Sequence, residues 1–397
     1  MACEREAPRH ADEGGKRRVR KRISNAACLI APLCGGVKQD VQVEDYKTLC
    51  LMTKKHSVAN LLYLALKDDP AFPADLRAAM EALLFNSMRQ QVAQEYEAER
   101  VFSALEKAGI RFLPMKGIVL RPLYPAPEMR ISCDVDLFYD KAERARAGEL
   151  MVSLGYQSDG ADANHEGFVK GPVSIALHHN LMTHFPTIDA YYEDLWSRLI
   201  PESDYRFRMS DEDFYIYSTI HTMKHFAVGG TGIRSVLDVF VYLHAKPMLD
   251  MAYIERELAG IGLLEFHRTL LTLSEVYFGG QEMPSDLQPV SDYILGSGTY
   301  GKFSQFVANT AAVSKGGRLG YFASRAFPPY RIMAEKYPSL RRFPPALPFY
   351  WAGRLLRAAF GRERSLSREV KTANAVSKAE QKRLDGVMDR VGLRGYR

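Results

Sequence analysis

The sequence predicts an α+β protein, in which a small mixed sheet with helices is flanked by mainly helical N-terminal and C-terminal regions. Short apolar runs bounded by Gly or Pro are concentrated between residues 110 and 182, and such runs are typical of strands. Before and after that stretch, apolar residues recur at intervals of three and four, the spacing of one face of a helix. The chain is long enough for two or three domains.

The sheet-forming stretch is expected to contain four strands and two helical segments in the order β-α-β-α-β-β. The first strand is "IRFLP", after which "IVLRPLYP" starts as a helix that Pro122 and Pro125 interrupt. The second strand is "ISCDVDLFYD", and "KAERARAGELMVSLGY" is an amphipathic helix with Asp140 as its N-cap and Gly155 at its end. The last two strands are "HEGFVKG" and "VSIALHHNLM".

Five regions are predicted along the chain. They are a disordered basic tail (1–40), a helical N-terminal region (41–105), the sheet-forming core (106–205), a helical domain (206–320) and a basic helical C-terminal region (321–397). Basic charge is confined to the ends, since residues 341–397 hold fourteen Lys or Arg against five Asp or Glu, whereas the whole chain is only +6. The middle of the chain is therefore acidic, so the basic net charge is only weak evidence for nucleic-acid binding by the core.

Composition also narrows the class of protein. No apolar stretch approaches the roughly 20 residues of a membrane span. The five cysteines have no metal-ligand spacing, and their odd number fits a reducing, cytoplasmic environment. The sequence contains no Walker A, dinucleotide-binding, nucleophile-elbow or zinc-ribbon motif.

Two aspartates stand one residue apart in the second predicted strand. Alternate side chains of a strand face the same way, so Asp134 and Asp136 are expected to point together. Two unpaired buried carboxylates are costly, but a divalent cation between them would remove that cost. Mg²⁺ prefers one or two carboxylates plus substrate phosphates, which is the chemistry of metal-assisted phosphoryl or nucleotidyl transfer.

The residues just upstream add groups that bind phosphate. Gly117 opens a helical segment, where backbone N–H groups are available to an anion, and Lys116 adds a positive charge beside it. Arg130, four residues before Asp134, is expected to bind a further phosphate oxygen in a bidentate manner.

The ordered set of Lys-Gly, Tyr-Pro, Arg and Asp-x-Asp in "FLPMKGIVLRPLYPAPEMRISCDVDLFY" resembles the signature of the uncharacterised nucleotidyltransferase family, within the DNA polymerase β-like nucleotidyltransferase superfamily. The resemblance implies a nucleotidyltransferase fold over 106–205, Mg²⁺ and NTP (such as ATP) as ligands, and Asp134 and Asp136 as the metal ligands. In better-known members a Gly-Ser pair binds the phosphate, and here Lys116-Gly117 takes that place.

The chain departs from the superfamily at one position. The superfamily mechanism usually needs a third carboxylate on a later strand, and the matching position in "SIALHHNL" is Ala176. His178 remains two residues further on and is expected to assist near the missing acid. Glu166 in the preceding strand is an alternative source of the third carboxylate.

Other groups of residues have two interpretations each. His221 and His225, four apart on a helix, are favoured as core histidines over metal ligands. Arg234 and Asp238 are favoured as an ion pair on one helix face over contacts to a nucleotide. The aromatic and arginine-rich segment "PFYWAGRLLRAAFGRERSLSREVK" is favoured as a solvated basic helix packed by its aromatic face, over a helix that lies on an anionic membrane surface or binds an acidic partner.

The function expected from these features is Mg²⁺-dependent transfer of a nucleoside monophosphate from an NTP to an acceptor. The acceptor, which is a small molecule, a protein or an RNA, does not follow from the sequence, and neither does the oligomeric state. Two alternatives stay open: a catalytically impaired nucleotide-binding or regulatory module, favoured by Ala176, and a protein that binds a membrane surface or a partner through its basic C-terminal helices.

Overall fold

The structure is a computed structural model that describes residues 24–161, 164–181, 185–299, 301, 303–313, 317–359 and 377–396. The chain divides into two compact units. One unit is Met1–Met223 with Gly232–Thr299, and the other is Lys224–Thr231 with Tyr300–Arg397. The boundaries of the five predicted regions do not coincide with those of the two units, and the five-region division stays a prediction.

The N-terminal part of the first unit is helical. Residues 24–30 are helical and Ala31–Cys34 forms a 3-10 turn, with Ala26 and Ile30 buried, so the chain is ordered over part of the expected tail. Residues 1–23 lie outside the described part. Three longer helices follow: α1 (Tyr46–Lys55), α2 (Ala59–Leu66) and α3 (Ala74–Lys107).

The sheet contains five strands in the order β1-β2-β5-β4-β3. Its strands and the two helices between them are β1 (Phe112–Met115), α4 (Gly117–Leu120), β2 (Val135–Tyr139), α5 (Arg144–Ser153), β3 (Gln157–Ala161), β4 (His165–Lys170) and β5 (Val173–His178). Strands β2 and β5 are parallel and the other neighbours are antiparallel. The predicted α+β class with a mixed sheet and flanking helices is confirmed.

One face of the sheet forms the main core. Side chains of β2 and β5, such as Leu137 and Leu177, pack there with Val101 of α3 and Met151 of α5. Residues opposite each other on neighbouring strands share a face, so the register also defines the other face. Met115 pairs with Asp136, and Asp136 pairs with Ala176, so these three lie on the face away from α3.

The rest of the first unit is mostly helical, apart from a short two-stranded sheet. Its elements are α6 (Pro186–Tyr191), α7 (Leu195–Arg198), β6 (Ile200–Pro201), β7 (Phe207–Arg208), α8 (Asp211–Val228), α9 (Ile233–Ala245), α10 (Met251–Gly260), α11 (Leu264–Ser274) and α12 (Gln288–Ser297). Helix α8 runs on into the second unit, because that unit begins at Lys224. Helix α9 is buried along most of its length.

The second unit is helical throughout the described residues. Its helices after α8 are α13 (Phe303–Val313), α14 (Gly317–Ala326), α15 (Tyr330–Lys336), α16 (Ser339–Arg342), α17 (Leu347–Ala359) and α18 (Lys378–Arg390). One small core joins α15, α16 and α17 through Met333, Leu340 and Trp351. Across both units, none of the described helices is long and apolar enough to cross a membrane.

Candidate active site

Asp136 lies at the centre of a compact group of ionisable side chains on the face of the sheet away from α3. Its side chain is buried, and its Oδ1 atom accepts from Lys116 Nζ at 2.6 Å and lies 2.7 Å from His178 Nε2. Lys116 Nζ and His178 Nε2 are themselves 3.4 Å apart. The structure therefore brings together Lys116, Asp136 and His178, three of the residues singled out from the sequence.

The charges around Asp136 set its protonation. Burial acts to raise the pKa of Asp136, but Lys116 and the hydrogen bond with His178 outweigh it and lower the pKa to about 2. Burial, with the Lys116 charge, lowers the pKa of His178 despite the opposing effect of Asp136. At neutral pH Asp136 is thus an anion beside an ammonium group and an imidazole.

Asp134 precedes β2 and has a different environment. Its side chain reaches solvent, but protein atoms surround much of its carboxyl group; this desolvation, and then the Asp136 charge, raises its pKa. Tyr217 of α8 lies close enough to both carboxylates for their charges to add to the effect of burial in raising its pKa. The pair therefore offers one buried carboxylate and one accessible carboxylate.

The backbone of the Lys116-Gly117 turn is strained at Lys116. Lys116 has φ 55° and ψ −120°, a conformation that costs a non-glycine residue on the order of 1–3 kcal/mol. At Gly117 a Cβ atom would clash with Ser132 Oγ and would lie 3.1 Å from Arg130 Nη1. The close approach of the segment that leads into β2 therefore favours glycine at 117, because a larger residue would force the Ser132 side chain to move.

Arg130 lies beneath this turn and is buried. Its Nε and Nη2 donate to the two carboxylate oxygens of Asp238 on α9, at 2.7 and 3.0 Å, and its Nη1 donates to Ser132 Oγ at 2.9 Å. Tyr124 also donates to Asp238, at 2.7 Å. In this arrangement Arg130 joins α9 to Ser132, in the segment that passes close to Gly117, and its expected contact with phosphate stays a prediction.

Other side chains fix the loop before Asp134 through its backbone carbonyl groups. Asn60 of α2 donates to Glu128 O at 2.8 Å, Gln94 of α3 donates to Ser132 O at 3.2 Å, and Arg234 of α9 donates to Ile131 O at 3.0 Å. Neither Asn60 nor Gln94 was predicted from the sequence, although a buried amide on an apolar helix face is a signal of such a bond.

The structure changes two of the interpretations drawn from the sequence. Arg234 and Asp238 do not form the favoured direct ion pair, because Asp238 binds Arg130 and Arg234 donates to Ile131 O, although the charge of Arg234 still contributes to lowering the pKa of Asp238. Glu166 cannot supply the third carboxylate, because it pairs with Leu177 on the core face and binds Arg144 at 2.7 Å. By contrast Ala176 lies directly beside Asp136 on the same face, where the superfamily acid was expected.

A cleft of about 660 Å³ lies elsewhere in the first unit. Its lining includes Phe102 of α3 and Pro114 of β1. Pro114 pairs with Leu137, so the cleft lies on the opposite side of the sheet from Asp136. It does not contribute to the Asp136 group.

The family model for uncharacterised nucleotidyltransferases matches residues 42–279. The chain belongs to this family. Among solved structures it is similar to the antibiotic-resistance factor ANT(2'')-Ia, with 12% identity and a TM-score of 0.32, over 47% of this chain and 97% of that chain. No match was found among the curated proteins.

Nucleotidyltransferases generally use a divalent metal, and the residues of this nucleotidyltransferase fit one such ion. Asp136 is an anion, both of the contacts described above fall on its Oδ1 atom, and Asp134 is accessible. In the described residues, however, no group of three or more His, Cys, Asp or Glu side chains could hold a metal. The donors therefore suit an ion that shares its ligands with substrate phosphates, and they do not suit a second ion at Ala176.

Proposed function

We propose that this nucleotidyltransferase transfers a nucleoside monophosphate from an NTP, such as ATP, to an acceptor, with one Mg²⁺ bound by Asp134 and Asp136. An acceptor oxygen attacks the α-phosphorus, the bond to the β-phosphate oxygen breaks, pyrophosphate leaves and the acceptor proton goes to solvent or base. When bound, Mg²⁺ would neutralise charge that develops on the phosphates. The observation that carries the proposal is the convergence of Lys116, Asp136 and His178 on one sheet face in a member of this family.

The proposal gives each protein group a task. The Lys116 ammonium and the Gly117 amide bind the triphosphate, and Arg130 positions their turn through Ser132, with a direct phosphate contact as a further expectation. Binding of nucleotide moves Lys116 from Asp136 Oδ1 to a phosphate oxygen, which exchanges one anionic partner for another. His178 is the proposed helper, and its 2.7 Å contact supports a role in orienting the Asp136 carboxylate.

The test is binding of Mg-NTP followed by incorporation of α-labelled NTP into a panel of small molecules, proteins and RNAs. Asp136→Asn keeps the size of the side chain and removes its charge, so it should abolish metal-dependent NTP binding. Glu166→Gln is the matched control, because Glu166 lies on the other face of the sheet. Unchanged metal-dependent binding by the Asp136→Asn protein would refute the site assignment.

A second candidate function is nucleotide binding without transfer, in a regulatory module. The observation that favours it is Ala176, which occupies the position beside Asp136. Ala176→Asp restores a carboxylate there, and the two candidates predict different results. If the protein is a transferase that works with one metal, the wild-type protein itself should incorporate α-labelled NTP. If it is an impaired module, the wild-type protein should bind Mg-NTP without incorporation, and only the Ala176→Asp protein should incorporate the label.

A further inference from the structure

The outer side of α17 in the second unit is an exposed apolar stripe. Phe349, Ala352 and Leu356 recur at intervals of three and four on that helix, and the side chains of Phe349 and Leu356 are 78% and 59% exposed. Phe343, which precedes the helix, is 63% exposed. We call these four residues the α17 stripe. Large apolar side chains grouped in this way mark a surface that binds a partner or a membrane.

The inner side of the same helix is firmly packed. Trp351 packs on the core formed with Met333 and Leu340, and its Nε1 donates to Pro328 O at 3.0 Å. Arg354 is buried and donates to Arg325 O at 2.7 Å. The orientation of α17 is therefore fixed by its other face, and the exposure of the stripe is a property of the folded unit.

The stripe lies within a strongly basic segment. Residues 325–357 hold seven Lys or Arg and one Glu, and Arg341, Arg342 and Arg357 are exposed next to the stripe in sequence. Apolar side chains on one helix face with arginines beside them are typical of helices that lie in the interface of a membrane with anionic lipids.

We propose that the α17 stripe and its arginines bind an anionic lipid surface. Phe343 and Phe349 can stack on nucleotide bases, but Ala352 and Leu356 are aliphatic and cannot, so a single-stranded nucleic acid leaves half of the stripe uncovered. All four side chains can enter the apolar part of a lipid surface, which favours lipid as the occupant. A second copy of the chain is disfavoured because the contact would bring two basic segments together. The apolar side chains enter the boundary between headgroups and acyl chains, and the arginines contact lipid phosphates or carboxylates.

The experiment is co-sedimentation of the full-length protein with vesicles of phosphatidylcholine, alone or with phosphatidylserine, at physiological salt. We expect binding to the phosphatidylserine vesicles only, and at least tenfold weaker partitioning for Phe349→Ser with Leu356→Ser. The control is Phe85→Ser with Val92→Ser, two side chains of α3 that are 57% and 67% exposed, and it should bind as the wild type does.

A second arm separates lipid from the other anionic partner. The three proteins above and a fourth, Arg341→Glu combined with Arg342→Glu, are each tested for vesicle binding and titrated with a fluorescent RNA. The proposal is overturned if the wild type binds RNA and not vesicles, if it binds phosphatidylcholine equally well, or if the Phe349 and Leu356 changes leave vesicle binding intact. Loss of vesicle binding with the arginine changes supports it. NTP binding should be equal in all four proteins.

Discussion

Replacing Lys116 with Met should tighten the binding of a divalent cation to the nucleotide-free protein. The Lys116 ammonium contacts Asp136 Oδ1 at 2.6 Å, so a cation that binds this carboxylate must work against that charge. Methionine keeps the length of the side chain and removes the charge. The substitution therefore measures how strongly the Lys116 ammonium competes with an added divalent cation for the Asp136 carboxylate.

The magnitude follows from the protonation of Asp136. Its pKa falls from 3.8 to about 2 against the effect of burial, which corresponds to about 2 kcal/mol of preference for the carboxylate anion. Lys116 is the largest of the lowering causes and His178 is the other. Removal of Lys116 should therefore favour a competing cation by about 1 kcal/mol, or roughly fivefold in Kd.

The assay is titration of Mn²⁺ followed by the electron paramagnetic resonance signal of the free ion, which reports binding without turnover. Lys170→Met is a matched control, because Lys170 pairs with Glu97 at 3.1 Å and its side chain is 29% exposed, against 22% for Lys116. With a non-hydrolysable NTP present, the Lys116→Met protein should instead bind Mn²⁺ more weakly than the wild type does, because it lacks the contact between Lys116 and the phosphates.

Two results would refute this reasoning in different ways. If the Lys116→Met protein binds Mn²⁺ no more tightly than the wild type and Lys170→Met proteins do, Lys116 does not compete for the site. If Asp136→Asn leaves Mn²⁺ binding unchanged in the wild-type background, the carboxylate is not a metal ligand and the proposed function loses its site.

Three further predictions concern the same group of residues. Asp238→Ala should lower the free energy of urea unfolding by about 3–5 kcal/mol, because it leaves the Arg130 charge buried without its partner; replacing Arg130 with Met as well should recover part of the loss. Gly117→Ala should weaken NTP binding, because the added methyl group clashes with the Ser132 side chain. Adding Ser132→Gly to that variant should restore NTP binding, which would not happen if the methyl group clashed with another residue. Because the pKa of Asp136 is lowered to about 2 on folding, its stabilisation is complete above pH 4 and is lost as the pH falls towards 2. Between pH 4 and pH 2, the free energy of unfolding should therefore fall by about 2 kcal/mol less for the Asp136→Asn protein than for the wild type.

The strands that carry the site could be predicted because their apolar runs are dense. "VDLFY" and "VSIAL" are buried on the core face, and both form strands. The edge strand β3 was missed because its five residues, "QSDGA", are all exposed and show no apolar alternation. A strand of this kind is specified by the neighbour that it pairs with and leaves little trace in its own sequence.

The partner of Arg130 could not be predicted for a different reason. Local spacing favoured a role for Arg130 beside Asp134, four residues away, whereas its carboxylate partner is 108 residues away on α9. Sequence spacing describes neighbours on one helix or strand, and it contains no information about which buried charge will meet which across the fold. The same limit explains why Arg234 and Asp238 looked like partners.

The register of the sheet gives the missing third acid a physical meaning. A site with two metals needs enough carboxylate charge to hold both ions, and here Ala176 stands beside Asp136 while an ammonium group already contacts Oδ1. One divalent cation can replace Lys116 at Asp136 if the triphosphate accepts the ammonium, so that every charge keeps a partner. A second cation beside Ala176 would have no further carboxylate to bind and no second ammonium group to displace. Metal and nucleotide should therefore each bind more tightly when the other is present, a coupling that the Asp-x-Asp motif alone does not predict.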